Sequence, residues 1–157
     1  MMIRKAMETD IPGMLTLLQQ VGQVHHDIRP DIFRSGCQKY DAAALSQLLK
    51  DPTRPIFIAD MDGKVAGYCF CIHKDFQGDP VMTDRRELYI DDLCVDEDRR
   101  GSGIATKLFS HVRSYAAEHG YTAITLNVWC GNASAMKFYE KMGMSPRSIT
   151  MDLPCEE

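Results

Sequence analysis

Between residues 93 and 105 the chain passes from an alternating, β-rich run into an amphipathic helical pattern through Arg100-Gly101-Ser102-Gly103, and few folds accommodate such a junction. A strand that feeds a helix through two glycines leaves the first helical N–H groups without intrahelical acceptors, at the positive end of the helix dipole. Gly101 and Gly103 let a bulky anion approach the backbone itself, and Arg100 adds a charged donor. A phosphate or pyrophosphate fits this arrangement, and so does a tight turn that binds nothing. A dinucleotide fingerprint needs a third small residue where Thr106 stands, and the pattern G-x-x-x-x-G-K-[ST] is absent, so neither a Rossmann oxidoreductase nor a P-loop NTPase is supported.

The elements around the junction follow from periodicity. Residues 3–7 predict a first strand; Thr9 or Asp10 then caps a helix with Pro12 in its first turn and Ile11, Leu15, Leu18 and Val21 at helical spacing. Asp41 caps a short second helix carrying Leu45, Leu48 and Leu49. Residues 55–60 and 64–73 form a hairpin across Asp62-Gly63, a dipeptide suited to positive φ. A strand at 87–95 enters the glycine turn. The following helix, with Ile104, Leu108, Val112 and Tyr115 on one face, stops at His119-Gly120. A strand at 123–128, a helix capped by Asn132 and ended by Gly143, and a last β segment at 148–153 complete the chain. The order predicts one mixed α/β (α+β) domain over residues 1–157, built on a single sheet.

Charge and cysteine content narrow the partners. The formal net charge is −4 and no dense Lys/Arg cluster occurs, which argues against nucleic acid. The longest mainly apolar stretch, 65–72, is far short of the roughly 20 residues that span a bilayer. Behind Arg4 and Lys5 come Glu8, Thr9, Asp10 and Pro12 rather than an apolar run, so no secretory signal is expected. The 6 cysteines include no C-x-x-C and predict reduced thiols in a cytoplasmic protein. His25-His26-Asp27 lacks the convergent spacing of a zinc site, so no metal is expected.

Two motifs carry a family resemblance. Arg100, Gly103 and Ala105 stand as R-x-x-G-x-A at the strand-to-helix junction, and Asn132-Ala133-Ser134-Ala135-Met136-Lys137-Phe138-Tyr139-Glu140-Lys141-Met142-Gly143-Met144 is similar to N-x-x-A-x-x-F-Y-E-K-x-G-F. In order and spacing they resemble the GCN5-related N-acetyltransferase (GNAT) superfamily, with Met144 in place of the usual Phe. The resemblance covers nearly the whole chain. It implies a central, mostly antiparallel twisted sheet with a splayed strand pair, flanked by about four helices. It also implies acetyl-CoA as cosubstrate, a primary amine of a small molecule or peptide as acceptor, and a homodimer.

The resemblance also distributes roles. The turn Arg100, Gly101, Ser102, Gly103, Ile104, Ala105 and Thr106 holds the pyrophosphate of CoA. Leu93, Cys94 and Val95 offer backbone groups to pantetheine and to the thioester carbonyl, whose oxyanion needs donors worth roughly 2.7–4 kcal/mol apiece. Asn132 serves both as helix N-cap and as a partner of CoA. An alkyl ammonium of pKa about 10.4 must lose a proton before attack, so a base is required, and Asp91 and Asp92 are the candidates. Strand alternation predicts that they point to opposite faces. Tyr139 is the candidate acid for the departing thiolate. His25, His26 and Arg29 fall where the acceptor site is expected, whereas Cys94 as a covalent nucleophile is disfavoured, and Cys69 and Cys71 read as buried thiols on one face. A non-catalytic acyl-CoA-binding module with the same fold is the alternative.

Overall fold

In the computed structural model, which describes residues 1–155, the sheet is the organising element. Its strands are β1 (Met2–Lys5), β2 (Ile56–Met61), β3 (Lys64–Asp75), β4 (Arg86–Val95) and β5 (Ala123–Leu126), hydrogen-bonded in that order. The first three pairings are antiparallel and β4–β5 is parallel. Four helices flank them: α1 (Ile11–Ile28), α2 (Ala42–Leu48), α3 (Ile104–Glu118) and α4 (Ala133–Lys141).

Local chemistry explains the punctuation. Asp62 and Gly63 take φ of 54° and 77°, the two positive values that a tight hairpin turn requires. Asp41 and Asn132 cap α2 and α4, accepting from Ala44 and Ala135 N–H. The cap expected at Thr9 or Asp10 does not form. The Asp10 carboxylate instead accepts from both terminal nitrogens of Arg4, at 2.8 and 2.9 Å, and from Met7 N–H, because that charged pairing outcompetes a single cap bond.

The sheet separates two apolar clusters. Met14, Leu17 and Leu18 of α1 and Leu45 of α2 pack on Ile56, Ile58, Tyr68, Phe70 and Cys94 on one face. Ile104, Leu108, Phe109 and Val112 of α3 pack on Phe57, Ala59, Cys69, Cys71, Leu88 and Ile90 on the other. Each fully buried large side chain contributes about 1.5–3 kcal/mol, so the α3 face fixes the helix that the glycine turn opens. Gly67 makes that approach close: a Cβ there would stand 3.1 Å from both Ile104 and Leu108 side chains.

Two expectations are corrected. Residues 148–153 have no strand partner among the described residues and no regular structure, although their alternation is that of a strand. Pattern alone does not make a strand; a ladder partner must be in reach. The second correction concerns β4. Phe70 faces Asp92 while Cys71 faces Ile90, so Asp91 is the extra residue of a β-bulge. Leu88 and Ile90 pack toward α3, and so do Leu93 and Val95. The bulge absorbs one step of alternation, and Asp91 and Asp92 both project toward the α1 and α2 face.

Candidate active site

The β4–β5 ladder ends at Ile90 opposite Leu126. Past that pair β4 continues for five more residues to Val95, while the other chain leaves the sheet as Asn127-Val128-Trp129. The splay opens a cavity of about 490 Å³, with Asp91, Asp92 and Leu93 on one side, Asn127, Val128 and Trp129 on the other, and Asn132 and Tyr139 of the α4 region beside them. On the β5 side of β4, backbone groups beyond Ile90 have no ladder partner, the feature expected of a strand that pairs with a bound arm.

The two carboxylates differ in their surroundings. Asp91 receives Lys39 Nζ at 2.8 Å on Oδ1 and the Tyr40 hydroxyl at 2.9 Å on Oδ2, so both its oxygens are engaged. Asp92 accepts one hydrogen bond from the Tyr68 hydroxyl, at 2.7 Å on Oδ2. Burial pushes its pKa up to about 6 against the opposing pull of the Tyr68 bond and of Lys39. Ionised at neutral pH and poised near it, Asp92 has the protonation behaviour of a general base.

Tyr139 lies on α4, tilted against Phe109 and edge-on to Phe138. Burial raises its pKa further above the usual phenol value, with Cys69 and Asp92 adding to the effect, so the hydroxyl keeps its proton. Asn132, by contrast, both caps α4 and lines the cavity. Cys94 is buried, directs its thiol at Leu17 C=O, and has its pKa pushed up to about 12 by burial and by Asp92, which disables it as a nucleophile. Cys69 and Cys71 are buried with sulfurs 3.8 Å apart.

Among the three acceptor-site candidates, only His25 lines the cavity. Its ring stacks on Phe33, which meets Trp129 edge-on, each at 5.0 Å between centroids, and burial followed by Lys39 lowers its pKa. His26 Nδ1 bonds Phe33 C=O, and Arg29 pairs with Asp31 and Asp152. Among the described residues no group of three or more His, Cys, Asp or Glu side chains converges as a metal site would require.

The glycine turn sits at the far end of β4. Gly101 and Gly103 have φ of 77° and 81°, and a Cβ on either would meet no atom within 4 Å, so the space above the turn is open. Gly103 stands at the N-terminus of α3 without a side-chain cap, and the first helical bond runs from Lys107 N–H to Gly103 C=O. The N–H groups of Ile104, Ala105 and Thr106 therefore precede the ladder. The turn is held from behind: Ser102 Oγ donates to Arg99 C=O, and Gln20 of α1 donates to Asp96 at 3.3 Å and accepts from Glu97 N–H at 3.0 Å. This cradle, which a side chain would fill, fits a pyrophosphate group.

Sequence reasoning did not find Gln20, Lys39, Tyr40 or Tyr68. Each acts through pairings between distant segments, and the Tyr68–Asp92 contact follows only once the β3–β4 register is known.

Comparison with known proteins agrees with this geometry. The acetyltransferase (GNAT) family profile matches residues 22–144. An uncharacterized N-acetyltransferase of Methanocaldococcus jannaschii is 28% identical over 102 residues, 65% of this chain and 44% of that protein. Human N-acetyltransferase 8B is 32% identical over 87 residues, 55% of this chain and 37% of that protein. The chain thus spans less than half the length of these two relatives. Among solved structures, a mutant of the BH1408 protein from Bacillus halodurans superimposes with a TM-score of 0.94 at 33% identity, covering 99% of this chain and 100% of that one. An aminoglycoside acetyltransferase from an uncultured soil metagenomic sample, in complex with sisomicin, shares the fold at a TM-score of 0.74 and 18% identity, covering 99% of this chain and 96% of that one. The family match over most of the chain, on a sheet that splays at the expected place, establishes that the protein belongs to the acetyltransferase (GNAT) family.

Proposed function

We propose that the protein is an acetyl-CoA-dependent N-acetyltransferase that transfers acetyl to a primary amine of a small molecule or peptide by direct attack in a ternary complex. The observation that carries this reading is the pairing of Asp92, ionised at neutral pH, with Tyr139, held protonated, on the walls of one cavity. Divergent protonation in a shared site is how one pocket performs both base and acid steps.

Acetyl-CoA supplies the thioester. The open turn at 100–106 receives its pyrophosphate, and the unpaired backbone of Leu93, Cys94 and Val95 receives the arm that carries the acetyl group. Asp92, whose Oδ1 is not engaged by Tyr68, accepts the proton of the incoming ammonium directly or through water. The difference between an alkyl ammonium and Asp92 is worth ~6 kcal/mol, which partial desolvation of the amine reduces by favouring its neutral form. Asp91, ion-paired with Lys39 and hydrogen-bonded by the Tyr40 hydroxyl, shapes the entrance rather than taking the proton. Tyr139 returns a proton to the departing thiolate. A cytoplasmic location accords with the free state of all the cysteines.

Thiol release from acetyl-CoA, measured with polyamines, aminoglycosides, amino acids and peptide N-termini, tests the proposal. Turnover with at least one amine class supports it; absence of acetyl-CoA binding by calorimetry overturns it.

A further inference from the structure

Three aromatic rings line the cavity beside Asp92 without belonging to either apolar core: His25 of α1, Phe33 of the loop that follows α1, and Trp129 beyond β5. Each is only half-buried. Their convergence is built into the backbone. A Cβ on Gly22 would run into the Cys37 carbonyl, and one on Gly131 would stand 2.5 Å from the Ile28 side chain, so glycine at both places lets the loop and the chain after β5 close on α1. His26 Nδ1–H donates to the Phe33 carbonyl at 2.8 Å and ties that loop down again. An aromatic surface brought together from three distant segments, held in place and left half-uncovered inside a cavity, is a binding surface.

Charge sets a second limit. Lys39 engages one oxygen of Asp91 and the Tyr40 hydroxyl the other, so the cation offsets that carboxylate. His25 is neutral at pH 7, since burial followed by Lys39 lowers its pKa. Asp92 accepts from the Tyr68 hydroxyl and forms no ion pair among the described residues, which leaves one unit of negative charge in the cavity. One ammonium satisfies it. A second ammonium on the same molecule would lose its water with no carboxylate free to receive it, and Lys39, close enough to His25 to act on its protonation, repels a cation drawn to the rings.

We infer that the acceptor is a small monoamine with an aromatic ring on a short alkyl chain, its ammonium received by Asp92 and its ring packed against Phe33 and Trp129, in preference to polyamines and aminoglycosides. The inference rests on the proposed reaction, for which it names the acceptor. A saturated chain would fill the same space but forgo the ring-to-ring contacts, which favour edge-on or offset geometry.

Trp129 is the single tryptophan of the chain, so its fluorescence reports this wall alone. Titration with 2-phenylethylamine is expected to change that emission saturably, and spermidine and kanamycin are expected to leave it unaltered at the same concentrations. Phe33→Ala is expected to weaken phenylethylamine binding about ten-fold, with circular dichroism and acetyl-CoA affinity unchanged. Should that variant fail to fold, Phe33→Leu, which keeps an apolar side chain and removes the ring, is expected to weaken it about three-fold. Lys39→Gln leaves Asp91 without its cation and is expected to raise kcat/KM for 1,4-diaminobutane relative to phenylethylamine about ten-fold, a ratio in which any common change in the base cancels. No saturable response to phenylethylamine, an equal response to spermidine, a higher kcat/KM for spermidine or kanamycin, or a binding constant and a ratio that these variants leave unmoved overturns the inference and leaves acetyl transfer standing. A saturable response without acetyl transfer to any amine defeats the proposed reaction and leaves the aromatic monoamine as the ligand of the cavity.

Discussion

The Tyr68 hydroxyl donates to the Asp92 carboxylate at 2.7 Å across the β3–β4 pair, inside the face covered by α1 and α2. Together with Lys39 and the Leu93 backbone, that bond restrains a pKa that burial drives upward, and so helps to set the pH at which the carboxylate becomes available.

The acid limb of kcat/KM should therefore titrate with an apparent pKa near 6. Asp92→Asn removes the limb and lowers turnover by about 10²–10⁴-fold, the usual contribution of a positioned base. Tyr68→Phe deletes the bond that favours the charged form, so the limb moves to higher pH. A pH–rate profile of the two variants checks both signs.

The same group bears on stability. Because the folded-state pKa of Asp92 lies above the ordinary carboxylate value, the native state holds its proton more tightly than the unfolded chain. Its contribution is complete below about pH 4 and is lost as pH rises through about 6. Asp92→Asn is expected to be more stable than the wild type at pH 7.5, by no more than ~3 kcal/mol, and to lose that advantage at pH 4. Urea midpoints at the two pH values measure the difference.

Tyr139→Phe keeps the ring against Phe109 and Phe138 and removes only the hydroxyl. A fall in kcat of about 10²-fold with unchanged acetyl-CoA affinity is expected if the phenol protonates the thiolate. Equal kcat in the variant would assign Tyr139 a packing role alone.

Gly103→Ala places a Cβ on a residue at φ 81°, at a cost of about 1–2 kcal/mol, and puts that carbon into the open cradle above the turn. Acetyl-CoA affinity is expected to fall more than the melting temperature would suggest. Calorimetry and thermal melting on one sample separate the two effects.

Much of the fold was legible because its signals are local. Asp62-Gly63, Gly120 and Gly143 mark a turn and two helix ends by backbone conformation alone, and α3 and α4 declare themselves by period. The strand face of Asp91 and Asp92 was not legible, because a bulge is invisible to a count of alternating residues. Residues 148–153 carry a strand pattern but find no ladder partner among the described residues. The site was half legible: its motif residues were named, but Lys39, Tyr40 and Tyr68 come from segments that the fold alone brings to the carboxylates.

The bulge at Asp91 makes the site sensitive to arithmetic as well as chemistry. Pairing Asp91 in register with β3 instead of bulging it out would preserve every named side chain. It would also impose strict alternation through the strand, so that residues 88 and 90 would share a face with Asp92 and no longer with 93 and 95. The acidic wall and the α3 core would then compete for the same orientation. In this protein the reading frame of a strand, counted from its pairing partner, is itself a determinant of which carboxylates face the cavity.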